Sequence, residues 1–228
     1  MNQFISEPLL GHYLISGEPV SQTLLEKLSE LNANYSKNKN FPSYIRGIQQ
    51  IFQLSPLTEK TLASKFYLGG FLEGEGSLNV GAKKNNVSQF KVYLDPEFNL
   101  TQHLNGISNL YLAMYVFQTG RIRFKSGSLA TFVYTIDNRQ SLEEKVLPFY
   151  EKYVNPFGSK VKKRRCLIFK NLLTLFKTKA HLNFKQMVHE VLPLWDQLRL
   201  QKGHTNETFK NLLEAQNYVK KAYNEKNK

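Results

Sequence analysis

The stretch FYLGGFLEGEGSL, residues 66–78, combines an apolar helical pattern with adjacent glycines and two carboxylates. Its residues Phe66, Gly69, Gly70 and Glu73 recur at the three- and four-residue spacing of a single helix face. Adjacent glycines weaken a helix by about 0.5–1 kcal/mol each relative to alanine, but they let a second backbone approach closely. The pattern therefore predicts a helix over 61–73 whose glycine face suits a close helix crossing.

The two carboxylates, Glu73 and Glu75, fall at the predicted carboxyl end of this helix, where Gly74 and Gly76 are expected to stop it. That end of a helix already carries partial negative charge, so two acidic side chains there repel it and each other. A divalent cation would relieve the conflict. An ordinary acidic helix end is the alternative. The glycine spacing fits neither a dinucleotide-binding fingerprint nor a P-loop.

The composition narrows the partners of the chain. There are 31 Lys and Arg against 18 Asp and Glu, a net charge of +13 and a pI near 9.7. This excess of positive charge favours nucleic acid as the binding partner over an anionic membrane surface. The single Cys166 excludes an intramolecular disulfide and a Cys-based zinc finger. No apolar run approaches the roughly 18–20 residues that span a membrane, so we expect no membrane partner.

The order of periodic segments predicts a mixed α/β (α+β) fold. We interpret residues 1–57 as an N-terminal helical extension, which either buttresses the core or contacts DNA, and 58–228 as the main domain with C-terminal helices. After the first-quoted helix, period-two patterns alternate with helical ones. The predicted strands are 77–82, 88–94 (interrupted at Asp95-Pro96, then 98–103), 121–125 and 129–136. The predicted helices are 21–34, 44–54, 61–73, 107–118 (ended by Gly120), 141–153 (with a Ser141–Glu144 capping box), 160–177, 183–200 and 207–227.

A family resemblance rests on LGGFLEGEG, residues 68–76, which is similar to the LAGLIDADG motif of homing endonucleases. From about residue 64 onward the chain resembles the group I intron endonucleases of chloroplast ribosomal-RNA genes. The runs that carry this likeness are DPEFNLTQHLNG (95–106), TGRIRFKSGS (119–128), TIDNRQSLEEKVLPFYE (135–151) and VLPLWDQLR (191–199). The resemblance implies an αββαββα core with a four-stranded antiparallel, saddle-shaped sheet plus accessory helices.

The resemblance also implies an activity and partners. Family members with one motif are homodimers whose motif helices cross, and this chain has one motif. The expected substrate is double-stranded DNA, cut on both strands at a long pseudo-palindromic site in a large-subunit rRNA gene. The expected compartment is the chloroplast. The residues expected at the dimer interface are Phe66, Gly69, Gly70 and Glu73.

By position in the motif, Glu75 matches the metal-binding acid, and Gly74 matches the residue whose carbonyl adds a contact. The implied cofactor is Mg²⁺, and the implied reaction is hydrolysis of a phosphodiester. Gln102 matches the residue that orients water, with an ordinary strand-end glutamine as the alternative. Lys162 matches the active-site lysine, although its basic neighbours could fill that role. The chain departs from the family pattern at Gly69, usually alanine, and in having Glu at both acid positions, which keeps the oxygen ligands.

The expected DNA-binding side chains form two groups. On the strands, Lys, Arg and Gln would read bases in the major groove, whereas the cluster at 160–165 would meet phosphates. The set comprises Asn79, Lys83, Lys84, Gln89, Lys91, Tyr93, Arg121, Arg123 and Lys125 on the sheet, with Lys160 and Lys163 in the cluster.

Two other functions fit parts of the pattern. A catalytically inactive protein of the same fold could act as an RNA maturase or a DNA-binding regulator, and RNA is an expected partner only in that case. A basic ribosomal or structural RNA-binding protein would account for the charge, but not for glycines next to an acidic helix end. Because Glu73 and Glu75 are both present, the nuclease is the preferred interpretation.

Overall fold

The computed structural model describes residues 14–15, 17–199 and 208–226. Its first elements are α1 (Gln22–Asn38), α2 (Phe41–Ile51), α3 (Leu62–Glu75), β1 (Gly76–Lys84), β2 (Val92–His103), α4 (Ile107–Phe117), β3 (Arg121–Phe124) and β4 (Thr131–Ile136). A helical run of successive α and π turns then follows, Arg139–Ser141, Leu142–Val146, Leu147–Phe149 and Tyr150–Val154. The later helices are Lys160–Lys177, a run of Phe184–Gln186, Met187–Val191 and Leu192–Arg199, and Leu212–Lys226.

The predicted order of helix, two strands, helix, two strands and helix is confirmed from α3 onward. The predicted bounds at residues 200, 207 and 227 lie outside the described residues. None of the helices in the described ranges is long and apolar enough to cross a membrane.

The two N-terminal helices begin at polar caps. The Ser21 hydroxyl accepts a hydrogen bond from the backbone of Leu24, and the Asn40 amide oxygen accepts one from Ser43 at 3.0 Å. Helix α1 runs to Asn38, four residues past the predicted end, and α2 lies about three residues earlier than predicted. The helices approach closely at Gly47, where an added methyl group would overlap a leucine of α1.

Helix α3 differs from the prediction at its end. Gly74 does not stop the helix, which continues to Glu75. The end comes at Gly76, whose backbone is extended (φ −71°, ψ 135°) because β1 starts there. Its N–H still donates to the carbonyl oxygen of Leu72. Both carboxylates therefore lie in the last turn of the helix, as expected.

The four strands form one sheet in the order β1-β2-β4-β3. Strands β3 and β4 are antiparallel, with Ile122 opposite Tyr134. The predicted alternation of β1 is confirmed, since Leu78 and Val80 are buried while Asn79 and Gly81 are half-buried.

Strand β2 corrects two predictions. It starts at Val92 instead of residue 88, and it passes through Asp95 and Pro96 without a break. The strand is continuous over its twelve residues, so Pro96 does not interrupt it.

Two helix boundaries also had other causes than predicted. Gln118, in a left-handed conformation (φ 51°), ends α4 in place of Gly120. The helical run after β4 begins at Arg139, because the side chain of Asn138 accepts a hydrogen bond from the Ser141 N–H at 3.0 Å. The prediction of a Ser141–Glu144 capping box is therefore wrong, because Asn138 is the N-cap residue and has an extended backbone.

The chain falls into two compact units, each described on its own. The first takes in residues up to Gly76 together with Asn99–Ile136. Its core includes Phe132, whose ring meets Phe52 edge-on at 5.2 Å, and Leu110 of α4. The second unit takes in Ser77–Phe98 and the residues from Asp137 onward. The helical run from Phe184 to Arg199 contributes to its core the buried side chains of Met187, Val188, Val191, Leu192, Trp195 and Leu198.

Candidate functional site

The carboxyl end of α3 is open to a ligand. Glu75, the last residue of the helix, is exposed, whereas Glu73 is half-buried. Gly74 between them is also exposed, and a methyl group added there would meet no atom within 4 Å. One exposed carboxylate therefore stands beside open space at the negative end of a helix, where a cation is electrostatically favoured.

Helix α3 also exposes an apolar face. Leu62, Phe66 and Tyr67 are 61%, 44% and 57% exposed, and the Tyr67 hydroxyl donates to the Asn109 side chain at 2.9 Å. Gly70 is exposed with nothing within 4 Å of an added methyl group, whereas Gly69 is buried within its own chain. Of the two adjacent glycines, Gly70 is thus the one that leaves room for an approaching backbone.

Gln102 lies near the end of β2 and is half-buried. Its amide oxygen occupies the space beside Gly106, because a methyl group at that glycine would overlap it. The short turn that follows is held by His103, whose Nδ1 accepts a hydrogen bond from the Asn105 N–H at 3.2 Å. The absence of a side chain at Gly106 therefore permits this position of Gln102. Local sequence patterns did not reveal this contact.

The basic cluster forms the first turns of the Lys160–Lys177 helix, which Ser159 caps through a hydrogen bond from the Lys162 N–H at 3.2 Å. Lys160 and Lys163 are exposed, and Lys162 is half-buried. Positive charges at the amino end of a helix oppose its dipole. Phosphate groups would offset this repulsion, since helix amino ends bind anions well.

The last arginine of the cluster has a different role from its neighbours. The half-buried Arg165 guanidinium donates to the carbonyl oxygens of Leu198 at 2.8 Å and Leu78 at 3.0 Å. Burial lowers the pKa of Arg165 from its usual value. Arg165 therefore ties its helix to β1 and to the helix that ends at Arg199.

The lysines of the first two strands have partners within the chain. Lys83 forms an ion pair with Asp95 at 2.9 Å, and that hydrogen bond raises the pKa of Lys83. The Lys84 ammonium lies over the rings of Phe209 and Tyr218 at 5.5 and 5.2 Å. These contacts hold the lysine side chains in defined directions along the hairpin.

The loop between β1 and β2 is fixed in the same way. Lys91 pairs with Glu225 at 2.8 Å, and the Gln89 amide donates to the carbonyl oxygen of Leu182 at 3.4 Å. Because β2 starts at Val92, both residues lie in the loop and not on a strand, and Lys91 is left-handed (φ 56°). Their predicted role as strand side chains is therefore wrong in placement, and DNA binding by them stays a prediction.

Two further predicted contacts lie on the strands themselves. Tyr93 is 41% exposed on β2. Asn79 is half-buried on β1, where its amide donates to the Ser77 hydroxyl at 2.9 Å. Both therefore occupy the less buried face of the hairpin, as the period-two pattern predicted.

Strand β3 presents its basic side chains away from the core. Ile122 is fully buried, whereas Arg121 is half-buried and Arg123 exposed on the opposite face. The exposed Lys125 lies one residue beyond the end of the strand, and its N–H donates to Thr131 at 2.8 Å. The predicted common face is thus formed by Arg121 and Arg123 on the strand, with Lys125 at its end.

Metal ligands do not converge in the parts of the chain that the structure describes, since no group of three His, Cys, Asp or Glu side chains lies together there. In those parts, Glu73 and Glu75 at the end of α3 therefore have no third His, Cys, Asp or Glu side chain grouped with them. Sequence reasoning had missed the acidic partners Asp95 and Glu225, because nothing in their local sequence marks them.

Comparisons with known proteins identify the family of this chain. The family model for the LAGLIDADG endonuclease matches residues 68–173. The DNA endonuclease I-CeuI of Chlamydomonas moewusii is 50% identical over 220 residues, 96% of this chain and 97% of that protein. The structure of the group I intron-encoded homing endonuclease I-CeuI complexed with DNA matches with a TM-score of 0.87 and 51% identity, covering 91% of this chain and 100% of the other.

A more distant structure matches less of the chain. The archaeal intron-encoded homing endonuclease I-Vdi141I complexed with DNA matches with a TM-score of 0.63 and 28% identity, covering 71% of this chain and 97% of that one. The resemblance in the motif is thus confirmed at the level of sequence and of fold. The chain belongs to the LAGLIDADG endonuclease family.

Proposed function

We propose that this protein is a homodimeric, Mg²⁺-dependent homing endonuclease that cuts both strands of a long pseudo-palindromic DNA site. The observation that carries the proposal is the exposed carboxylate of Glu75 beside the open Gly74 at the end of the motif helix. The 50% identity to a DNA endonuclease over 96% of the chain supports it. The net charge of +13 favours binding to the phosphate backbone of DNA.

Dimer formation is supported by the surface of α3. Three large apolar side chains, Leu62, Phe66 and Tyr67, are exposed on one helix, and contiguous apolar surface of this kind marks interaction sites. The open position at Gly70 lets the backbone of a second α3 come close. A second copy of the chain would add a second Glu75, which doubles the carboxylates available to metal ions.

The residues at the end of α3 fit a magnesium site. Mg²⁺ prefers hard oxygen ligands from one or two carboxylates, and the exposed Glu75 carboxylate with the Gly74 carbonyl offers such donors. When bound, Mg²⁺ activates water and offsets charge on the phosphate. Gln102 would orient the attacking water through its amide. Lys162, with its basic neighbours, would place positive charge near the scissile phosphate.

The proposed genetic origin and DNA target rest on similarity to known proteins. I-CeuI is a group I intron-encoded enzyme, and we propose the same genetic origin here. From the family resemblance of the sequence we also propose a target in a large-subunit rRNA gene of the chloroplast. We also propose that residues 1–57 form an extension to a catalytic domain at 58–228. On the sheet, the side chains of Arg121 and Arg123 would read bases, while Lys160 and Lys163 would bind phosphates.

The proposal is tested by selecting cleaved sites from a randomised library of double-stranded DNA with Mg²⁺ present. We expect recovery of one long, imperfectly symmetric site, cut on both strands, and no cleavage when EDTA replaces Mg²⁺. Binding without cleavage at any metal concentration would instead support a DNA-binding regulator. Cleavage that is unaffected by EDTA would contradict the metal-dependent mechanism.

A further inference from the structure

Strand β3 is one of the two outer strands of the sheet, next to β4 alone. Its Ile122 lies opposite Tyr134 of β4, between the pairs formed by Arg121 and Arg123. The free side of an outer strand presents backbone N–H and C=O groups that need other partners. At Ile122 these groups are covered by two side chains from the N-terminal helices.

Three hydrogen bonds connect Ile122 to those helices. Its N–H donates to the hydroxyl of Tyr44 on α2 at 2.9 Å, and its carbonyl oxygen accepts from the side-chain amide of Asn32 on α1 at 3.0 Å. The third runs from the Tyr44 hydroxyl to the same carbonyl oxygen at 3.3 Å, and that hydroxyl also donates to the Asn32 amide oxygen at 2.9 Å. Tyr44 and Asn32 thus satisfy both backbone groups of one residue and each other.

Packing around Tyr44 holds its hydroxyl in this position. Tyr44 is only 1% exposed, and its ring stacks on that of Tyr35 with centroids 4.3 Å apart. Burial raises the pKa of the Tyr44 phenol well above its usual value, against the opposing effects of the Ile122 hydrogen bond and of Arg121 and Arg123. The hydroxyl therefore keeps its proton at any ordinary assay pH, so it can always donate to Asn32.

We call the hydrogen bonds from Tyr44 and Asn32 to Ile122 the clamp. The clamp fixes the backbone between the two arginines of β3. The side chain of Ile122 is fully buried, so Arg121 and Arg123 project from the opposite face on either side of the fixed peptide unit. A bidentate contact between an arginine and guanine depends on direction, and groups that bind with such geometry must be held to within about 0.5 Å. A small rotation of the backbone at Ile122 would move both guanidinium groups by more than that.

We propose that Tyr44 and Asn32 are positioning residues for DNA recognition, which hold the backbone of Ile122 and so direct Arg121 and Arg123 toward the bases. The inference rests on the proposed function, because it requires β3 to read DNA. It gives α1 and α2 a part in target discrimination through their hydrogen bonds to β3.

The test compares two substitutions that remove hydrogen bonds to Ile122 with one that disturbs α2 and leaves those bonds in place. Tyr44→Phe keeps the ring and its packing but leaves the Ile122 N–H without its acceptor. Asn32→Ala removes the shorter of the two bonds to the Ile122 carbonyl oxygen and leaves the longer one from Tyr44. The matched control is Asn40→Ala, which removes the cap of α2, the helix that carries Tyr44, but leaves the bonds to Ile122 in place. Arg123→Ala identifies the base positions that β3 reads.

Target profiles of the full-length variants, obtained by selection from a randomised DNA library, give the first result. We expect Tyr44→Phe to lower discrimination about fivefold or more at the base positions that Arg123→Ala relaxes, and to leave the other positions unchanged. Asn32→Ala should act in the same direction. Asn40→Ala should lower thermal stability and leave the profile as in the parent protein.

Hydrogen exchange of the Ile122 amide without DNA gives an independent result. We expect it to be protected in the parent protein and in Asn40→Ala, and to exchange at least about tenfold faster in Tyr44→Phe. Faster exchange with an unchanged target profile would overturn the positioning role, and unchanged exchange would overturn the clamp. A parent protein that selects no DNA site overturns the proposed function and this inference together, whereas a sharp parent profile with an unaltered Tyr44→Phe profile overturns the inference alone.

Discussion

Arg165 donates a hydrogen bond from its guanidinium to the carbonyl oxygen of Leu78, 3.0 Å away, and so ties the basic helix to strand β1. Its neighbour Lys163 is exposed on the same helix. Two cations of one cluster, two residues apart, thus have different roles. One is part of the folded structure, and the other is available to phosphate.

Substitution of these two cations should therefore have different consequences. Arg165→Ala leaves two carbonyl oxygens without their donor and should lower the free energy of unfolding by about 2 kcal/mol. Lys163→Ala should leave stability unchanged, weaken binding to all DNA sequences alike, and reduce the slope of log affinity against log salt by about one. Thermal unfolding and DNA titrations in a salt series check both results. A stable Arg165→Ala protein with a reduced salt slope would contradict the structural role.

The ion pair between Lys83 and Asp95 predicts that loss of the carboxylate changes nonspecific DNA binding. Asp95→Asn removes the carboxylate that holds the lysine, so Lys83 becomes free to meet phosphates. We expect unrelated DNA to bind about two- to threefold more tightly, with a slightly steeper salt dependence. Glu190→Gln, which removes an exposed charge elsewhere, is the control, and equal gains in both variants would show that only net charge matters.

The open position at Gly70 predicts a separation of folding from assembly. Because nothing lies within 4 Å of an added methyl group, Gly70→Leu should leave the fold of one chain intact while blocking the approach of a second α3. We expect a folded monomer by circular dichroism and sedimentation. Glu30→Leu, an equally apolar change on exposed α1, should remain a dimer. An unaltered dimer of Gly70→Leu would mean that α3 is not the interface.

The space at Gly106 predicts a catalytic effect without a binding effect. A methyl group there would overlap the amide of Gln102, so Gly106→Ala should displace it. We expect slower single-turnover cleavage, by about tenfold, with DNA affinity close to that of the parent protein. Gln102→Ala should show the same pattern. A Gly106→Ala protein that cleaves normally, together with a slow Gln102→Ala protein, would show that the amide tolerates the shift.

Much of the fold could be predicted because it follows local rules. The spacing of Leu24 and Leu28 predicts α1, and the alternation of Leu78 and Val80 predicts β1. The errors arose where tertiary pairing decides. Proline at position 96 suggested a break in β2, but the strand continues through it.

The site was predictable only in part. The motif placed Glu75 at the end of α3 because glycine and acid spacing is a local signal. The partners of the lysines are not local, since Glu225 lies 134 residues from Lys91. The same is true of the contact between Tyr44 and Ile122, which are 78 residues apart. Only the folded chain brings such residues together.

The most direct test of the account is the effect of Glu75→Gln on cleavage and binding of the selected DNA site in Mg²⁺. The amide keeps the size of the side chain but lacks the charge that holds the metal ion. We predict that the cleavage rate falls below about a tenth of the parent rate while affinity for the site is retained. Glu59→Gln, which removes an exposed carboxylate just before α3, should cleave normally. Cleavage by Glu75→Gln at more than a tenth of the parent rate would contradict the assignment of Glu75 as the metal-binding carboxylate.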